Sequence, residues 1–223
     1  MPEQMLDKRS VAQMGAVTQN HASAPTRREN VMKILHSAII ALVLPVTLVA
    51  QPPAGLPPNP ITAAFKARIT AQHRNLAQAF DSIPEAKFSF KPTPAQQTFG
   101  FIAQHLANDN YFFCNQFGAT KQARSAKDST TADSVKATWP KDTLVAKLKE
   151  SFAYCAKALD QVEDSKLADQ VTLTFGGNTR NVARANMLLG HALDLTDHYS
   201  QVANYMRLNN MLPPTALPRP RPD

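Results

Sequence analysis

The chain has 223 residues, enough for one globular domain with extensions, and its 43% apolar content supplies a core. The net charge is +7; the first 50 residues carry five Lys/Arg and three Asp/Glu, so the remainder carries +5 with its basic residues scattered rather than run together. Nucleic-acid surfaces show a basic patch or stripe, so this charge reads as a solvated surface and excludes a nucleic-acid partner.

In chain order, residues 1–31 are polar and without helical or strand period, and read as a non-native or disordered N-terminal extension. Arg27, Arg28 and Lys33 then precede an apolar run from Ser37 to Ala50, interrupted by Pro45. That run falls short of the roughly 20 residues a helical span needs. A basic segment followed by a short apolar one predicts a signal peptide over 32–50, cleaved near Ala50/Gln51. Met32 is its natural start. Export to the periplasm or medium follows, with no stable membrane anchor after cleavage.

Residues 51–60 carry Pro52, Pro53, Pro57, Pro58 and Pro60 and read as an extended linker. From Ile61 the pattern changes. Phe65, Ile69, Leu76 and Phe80 recur at helical spacing until Ser82, with Pro84 as the stop. His73 falls at the edge of this stripe and reads as a boundary histidine. Pro92 and Pro94 forbid a helix in the loop from Glu85 to Pro94, and Phe88 and Phe90 are placed to tuck under the domain. Thr98 suits the N-cap of a second helix, running from Phe99 to Phe117 with Gly118 after it. Phe101, Ile102, His105, Asp109 and Phe112 read as its inner face.

Residues 119–140, rich in Lys, Ser, Thr, Ala and Asp, read as a long surface loop with Trp139 as a packing anchor. A third helix begins at Asp142 or Thr143 and ends near Asp160, carrying Leu144, Leu148, Phe152, Cys155 and Leu159. Val171 to Phe175 is strand-like, one arm of a short hairpin or a segment crossing the helix ends. A fourth helix is expected from Thr179 or Asn181 to Asn209, with a Pro-rich tail over 216–223. Four helices with long connections and no strand set for a sheet indicate an all-α, antiparallel four-helix bundle over 61–215.

The fourth helix carries the densest chemistry. At 100° per residue, His191, Asp194 and His198 fall within roughly 60° of one another, beside Leu188, Leu195 and Val202. Polar ligands on a core-facing stripe are costly unless something satisfies them. A divalent metal shared with His105 of the second helix would do so. Positions 194 and 198, one turn apart, suit a single ion; 191 and 198 lie about 10.5 Å apart along the axis. His105, Asp194 and His198 are therefore the expected ligands, with His191 the alternative. Asp109, one turn after His105, would orient a ligand histidine or cap a polar pocket. Cys114 and Cys155, on the second and third helices, are candidates for a disulfide.

With the helices placed, several segments resemble the DinB/YfiT-like metalloenzymes. These are Phe88-Ser89-Phe90-Lys91-Pro92-Thr93-Pro94 leading to Thr98-Phe99-Gly100 and Ala103-Gln104-His105-Leu106-Ala107; Tyr111-Phe112-Phe113-Cys114; and Asp197-His198-Tyr199-Ser200-Gln201 followed by Tyr205-Met206-Arg207 and Met211-Leu212-Pro213-Pro214. The resemblance implies a four-helix bundle with a pocket at one end that holds a divalent metal on three histidines. One comes from the second helix and two, four residues apart, from the fourth. His105 and His198 match; Asp194 stands where the remaining histidine would be, and Gln201 resembles a family position near the pocket, secondary to the ligands. Two His and one carboxylate suit Zn, Fe(II), Mn or Ni. The family includes transferases that activate a low-molecular-weight thiol, and hydrolases. The expectation is a metal-dependent hydrolase or transferase acting on a small molecule; the alternative is a non-catalytic metal or small-ligand binding protein of the cell envelope. A homodimer is a further expectation.

Overall fold

The structure, a computed structural model, describes residue 55 and residues 58–218 except 119 and 176. The expected extension at 1–31, the signal peptide at 32–50, most of the Pro-rich linker and the end of the tail lie outside the described residues. The chain divides into two units at Ala50/Gln51, and all the described elements belong to the second.

Helix α1 spans Pro60–Ser82. Proline at its first position costs nothing, because that N–H has no intrahelical partner anyway. Asn59 before it is left-handed and makes no side-chain cap. The vacant capping role is filled by Asp164, whose carboxylate accepts from the backbone N–H of Ile61 (3.0 Å) and Thr62 (2.7 Å). Helix α2 spans Phe99–Cys114, and Thr98 caps it by accepting from Phe101 N–H at 3.1 Å. It stops three residues before the expected Phe117, the chain tightening through turns to Phe117, which is itself buried. The 119–140 segment is more than a loop: it holds α3 (Ala126–Thr130) and α4 (Asp133–Lys136), and it buries Lys136. The Lys136 ammonium is satisfied there by Asp133 (2.7 Å) and Asn108 (3.2 Å).

Helix α5 spans Lys141–Leu159 and α6 spans Arg184–Leu208. Between them β1 (Gln170–Phe175) and β2 (Asn178–Ala183) pair antiparallel, in register from Gln170↔Ala183 to Phe175↔Asn178. Gly177 takes φ +79° in the turn, where a side chain would be strained. Residues 179–183, expected to open the last helix, are therefore the second arm of a hairpin. Val171 and Leu173 face the core, while Thr172–Asn181 and Thr174–Thr179 pair on the outer side, the alternation that sets strand register.

The ends of the helices fix their directions. Asp164, just past α5, holds the start of α1, and Lys141 at the start of α5 donates to the carbonyls of Asp81 and Ile83 at the end of α1. So α1 and α5 are antiparallel. Helices α2 and α5 run parallel: Gly100 lies against Ala137 and Leu144 at one end, and Cys114 and Cys155 form a disulfide near the other with Cα atoms 5.3 Å apart. Helix α6 is antiparallel to α2, with Tyr205 beside Phe99 and Arg184 beside Phe117. The four long helices thus run up, down, down, up, and the long 115–140 connection carries the chain back to start a parallel neighbour.

The core holds Ile69, Leu76, Phe80, Phe99, Ile102, Leu106, Leu148, Leu188, Leu195 and Val202, all fully buried. Each contributes about 1.5–3 kcal/mol by leaving water. Phe88 is buried beneath the bundle, and Phe90 packs on Phe99 and edge-on to Tyr205. Among the described residues no helix is long and apolar enough to cross a membrane.

Candidate metal centre

Helix α2 supplies His105; α6 supplies Asp194 and His198, one turn apart on one face. One ligand-type atom from each of the three lies within 4.8 Å of the others. The two imidazole rings meet edge to face, with centroids 4.9 Å apart. These side chains do not sit in the core. They occupy the margin between core and solvent, His105 being 32% exposed and His198 13%. Phe101 and Phe112, expected on the inner face of α2, share that margin, and Phe112 is exposed. The truly buried side of α2 is Phe99, Ile102, Ala103, Leu106 and Cys114.

Each ring is held by a neighbour that decides where its proton sits. Gln201 Nε2 donates to the Tyr205 hydroxyl at 2.9 Å, so its Oε1 faces His198 Nδ1 (3.2 Å) and accepts from it. That leaves Nε2 of a neutral His198 as a lone pair pointing at Asp194 Oδ1, 3.4 Å away. Two acceptors facing each other need a proton or a cation between them. Burial works against charge on His198, but the hydrogen bond and charge of Asp194 outweigh it and hold the imidazole above its ordinary value. The other carboxylate oxygen, Asp194 Oδ2, is buried with no hydrogen-bond partner.

Asp109 Oδ2 lies 3.0 Å from His105 Nε2. An ionised Asp109 takes that N–H and leaves Nδ1 as the lone pair of the ring. Burial, reinforced by the charge of Asp194, pushes the Asp109 carboxyl up to about 7. Burial and the nearby His198 lower His105. The set of donors, two imidazoles and a carboxylate with one orphaned oxygen, fits a divalent transition metal.

The group opens on a pocket of about 460 Å³ whose wall includes Asn108, Phe112, Arg124, Asp133 and Lys136. Arg124 and Lys136 both donate to Asn108 Oδ1. Of these wall residues Phe112 stood out in the sequence as part of an apolar stripe; Arg124, Asp133 and Lys136 did not, because the segment that brings them has no apolar period to announce its fold. A larger cavity of about 640 Å³ lies between the Glu85–Gln97 loop and Trp139. Among the described residues it holds no trio of metal-ligating side chains.

His191 is not part of this group. It is fully buried, bonded through Nε2 to Asn110 Oδ1 at 2.9 Å and stacked on Phe113. His73, expected at a boundary, is also buried, stacked on Phe152 at 4.2 Å between centroids. Burial lowers both to about 3, so both are neutral.

The sequence profile of the DinB superfamily matches residues 68–202, more than half the chain, including all four long helices in whole or part. The chain belongs to the DinB superfamily. A solved DinB-like protein from Bacillus cereus is similar to this DinB-superfamily chain, with TM-score 0.52 and 17% identity, over 68% of this chain and 95% of that one. At that identity the likeness is one of fold. A conserved protein from Enterococcus faecalis aligns with TM-score 0.48 and 18% identity, over 66% of this chain and 95% of that one. A mycothiol-dependent maleylpyruvate isomerase aligns with TM-score 0.49 and 13% identity, over 63% of this chain and 59% of its own. No curated protein matches the chain.

Proposed function

We propose that this DinB-superfamily protein binds a divalent transition metal through His105, Asp194 and His198 and uses the centre in hydrolysis or group transfer on a small molecule. The observation that carries the reading is the pair of facing acceptors, His198 Nε2 and Asp194 Oδ1 at 3.4 Å, with His105 beside them. A divalent ion at such a centre supplies a lowered pKa to water or thiol and polarises a carbonyl. The chain's own residues do the rest. Gln201 fixes the His198 tautomer and Asp109 turns the His105 ring, as outer partners of metal ligands do. Phe112 and Phe113 form an apolar wall of the pocket.

The basic segment and apolar run before residue 51 support an exported location, periplasmic or secreted. Export separates the protein from cytosolic thiols and favours water as the activated group, hence hydrolysis. A second reading, metal or small-ligand binding without turnover, is favoured by one departure: Asp194 stands where the family resemblance implies histidine.

The test is elemental mass spectrometry on full-length protein purified without chelators. About one equivalent of transition metal is expected, lost in His198→Ala and Asp194→Ala and retained in His191→Phe. No metal after reconstitution with Zn, Ni, Mn and Fe(II) overturns the proposal. Bound metal without turnover on ester, amide and thiol-transfer substrates selects the second reading.

A further inference from the structure

A second group of ligand-type side chains lies deep in the bundle where three helices meet. His73 comes from α1, Cys155 from α5 and His191 from α6. One ligand-type atom of each lies within 4.8 Å of the others, and all three residues are buried, His191 and Cys155 completely and His73 with 8% exposed.

Two nitrogens there have no partner: His73 Nε2 and His191 Nδ1. Buried polar atoms are rarely left so. The proton on His191 is fixed by a chain of bonds. Its Nε2–H donates to Asn110 Oδ1 (2.9 Å), Asn110 Nδ2 donates to Ser151 Oγ (2.8 Å), and Ser151 Oγ donates to the Leu148 carbonyl (2.7 Å). Nδ1 is therefore a lone pair, held in place and unused. The third member, Cys155, is tied to Cys114 in the disulfide. A disulfide sulfur is not a thiolate, so the group is incomplete while that bond stands.

We propose that reduction of the Cys114–Cys155 disulfide creates a copper(I) site formed by Cys155 Sγ, His73 and His191. The reductant is an external dithiol. It supplies two electrons, the S–S bond breaks, both cysteines become thiols, and the dithiol closes to its own disulfide. On binding copper, Cys155 releases its thiol proton to solvent. Copper(I) is the ion the surroundings favour. A thiolate and a monovalent cation leave the buried group neutral, whereas a divalent ion leaves a net charge in a dry core with no carboxylate in the group to offset it. Soft thiolate with imidazole also suits copper(I). The ligand atoms, within 4.8 Å of one another, must close by at most about 1 Å to reach metal–ligand bonds near 2.0–2.3 Å. Breaking the disulfide frees the Cys155 side chain to rotate and make that adjustment.

The test uses full-length protein carrying His198→Ala throughout, which silences the first centre. Oxidised and dithiol-reduced samples, desalted without oxygen, are titrated with copper(I) against a chromogenic bicinchoninate competitor. The reduced protein is expected to take one copper, at least 100-fold more tightly than the oxidised one, with one sulfur and two nitrogen neighbours by X-ray absorption. Two further variants separate ligand loss from disulfide loss. Cys114→Ser keeps the Cys155 thiol and is expected to bind without reduction; Cys155→Ser loses the disulfide equally and is expected not to bind. His73→Phe, which preserves the stack on Phe152, is expected to lose the site even when reduced. Equal copper affinity in Cys114→Ser and Cys155→Ser, or no uptake by the reduced protein while circular dichroism shows it folded, overturns the proposal.

Discussion

The buried histidine pair makes the disulfide-bonded protein acid-sensitive in a calculable way. His73 and His191 titrate at about 3 in the fold because burial disfavours their charged forms, against an ordinary value of 6.5. Between these values the unfolded chain binds two protons that the folded chain does not. Stability from this source is therefore complete above pH 6.5 and is lost as the pH falls toward 3. At about pH 5 each histidine costs about 2 kcal/mol, at 1.36 kcal/mol per pH unit, and the pair about 4 kcal/mol. Other groups also titrate: His198 and Asp109 are raised, which acts in the opposite sense, and His105 is lowered. The clean quantity is the difference from His73→Phe, which keeps the ring stack and removes one proton site. Urea unfolding at about pH 7 and about pH 5 should show the wild type losing about 2 kcal/mol more than the variant. Parallel losses in the two proteins would refute the reasoning.

Replacing Cys114 and Cys155 together by alanine opens a loop with a sequence separation of 41 and should lower stability by about 4 kcal/mol, read from urea midpoints under non-reducing conditions. In Gly100→Ala the added methyl overlaps the Ala137 carbonyl oxygen, a backbone atom, so the α4 segment must shift; a loss of about 1–3 kcal/mol is expected in thermal unfolding, and an unchanged Tm would contradict that contact. Asn110→Ala strips His191 Nε2 and Ser151 Oγ of their shared partner in the core. A cost of about 2–3 kcal/mol by chemical denaturation is expected, and a loss below about 0.5 kcal/mol would rule out the bond chain.

The long helices were legible because their apolar residues repeat with the helical period and their ends carry chemistry: Thr98 as a cap, Pro84 as a stop. Segment 119–140 was not, since among its described residues the one deeply buried member is Lys136, whose burial depends on Asp133 and Asn108 being in place around it. Strand β2 is exposed or half-buried along its whole length and has Val182 as its main apolar residue, so alternation had nothing to display. Its identity comes from β1 opposite. At the candidate centre, spacing could group His191 with Asp194 and His198 because they share one side of α6. Which of them faces Asn110 and which faces His105 depends on where α1, α2 and α5 lie, and a single helix carries no record of that. The disulfide partners were visible only as two cysteines on different helices; their separation is a tertiary fact.

The contact between Asp164 and the first turn of α1 has a consequence for the order of synthesis. Ile61 and Thr62 leave the ribosome about 100 residues before the carboxylate that receives their N–H groups. Until then the opening turn of α1 has water in place of a cap, and its parallel neighbour α6 is still unmade. Among the described helices, the first to be translated thus waits for the last before its packing is complete. A pause or truncation before Asp164 should leave the N-terminal end of α1 frayed and open to protease. A chain paused after Asp164, but before α6, should protect that turn while α1 still lacks the neighbour that Gln72 and His73 meet, at Thr196 and His191.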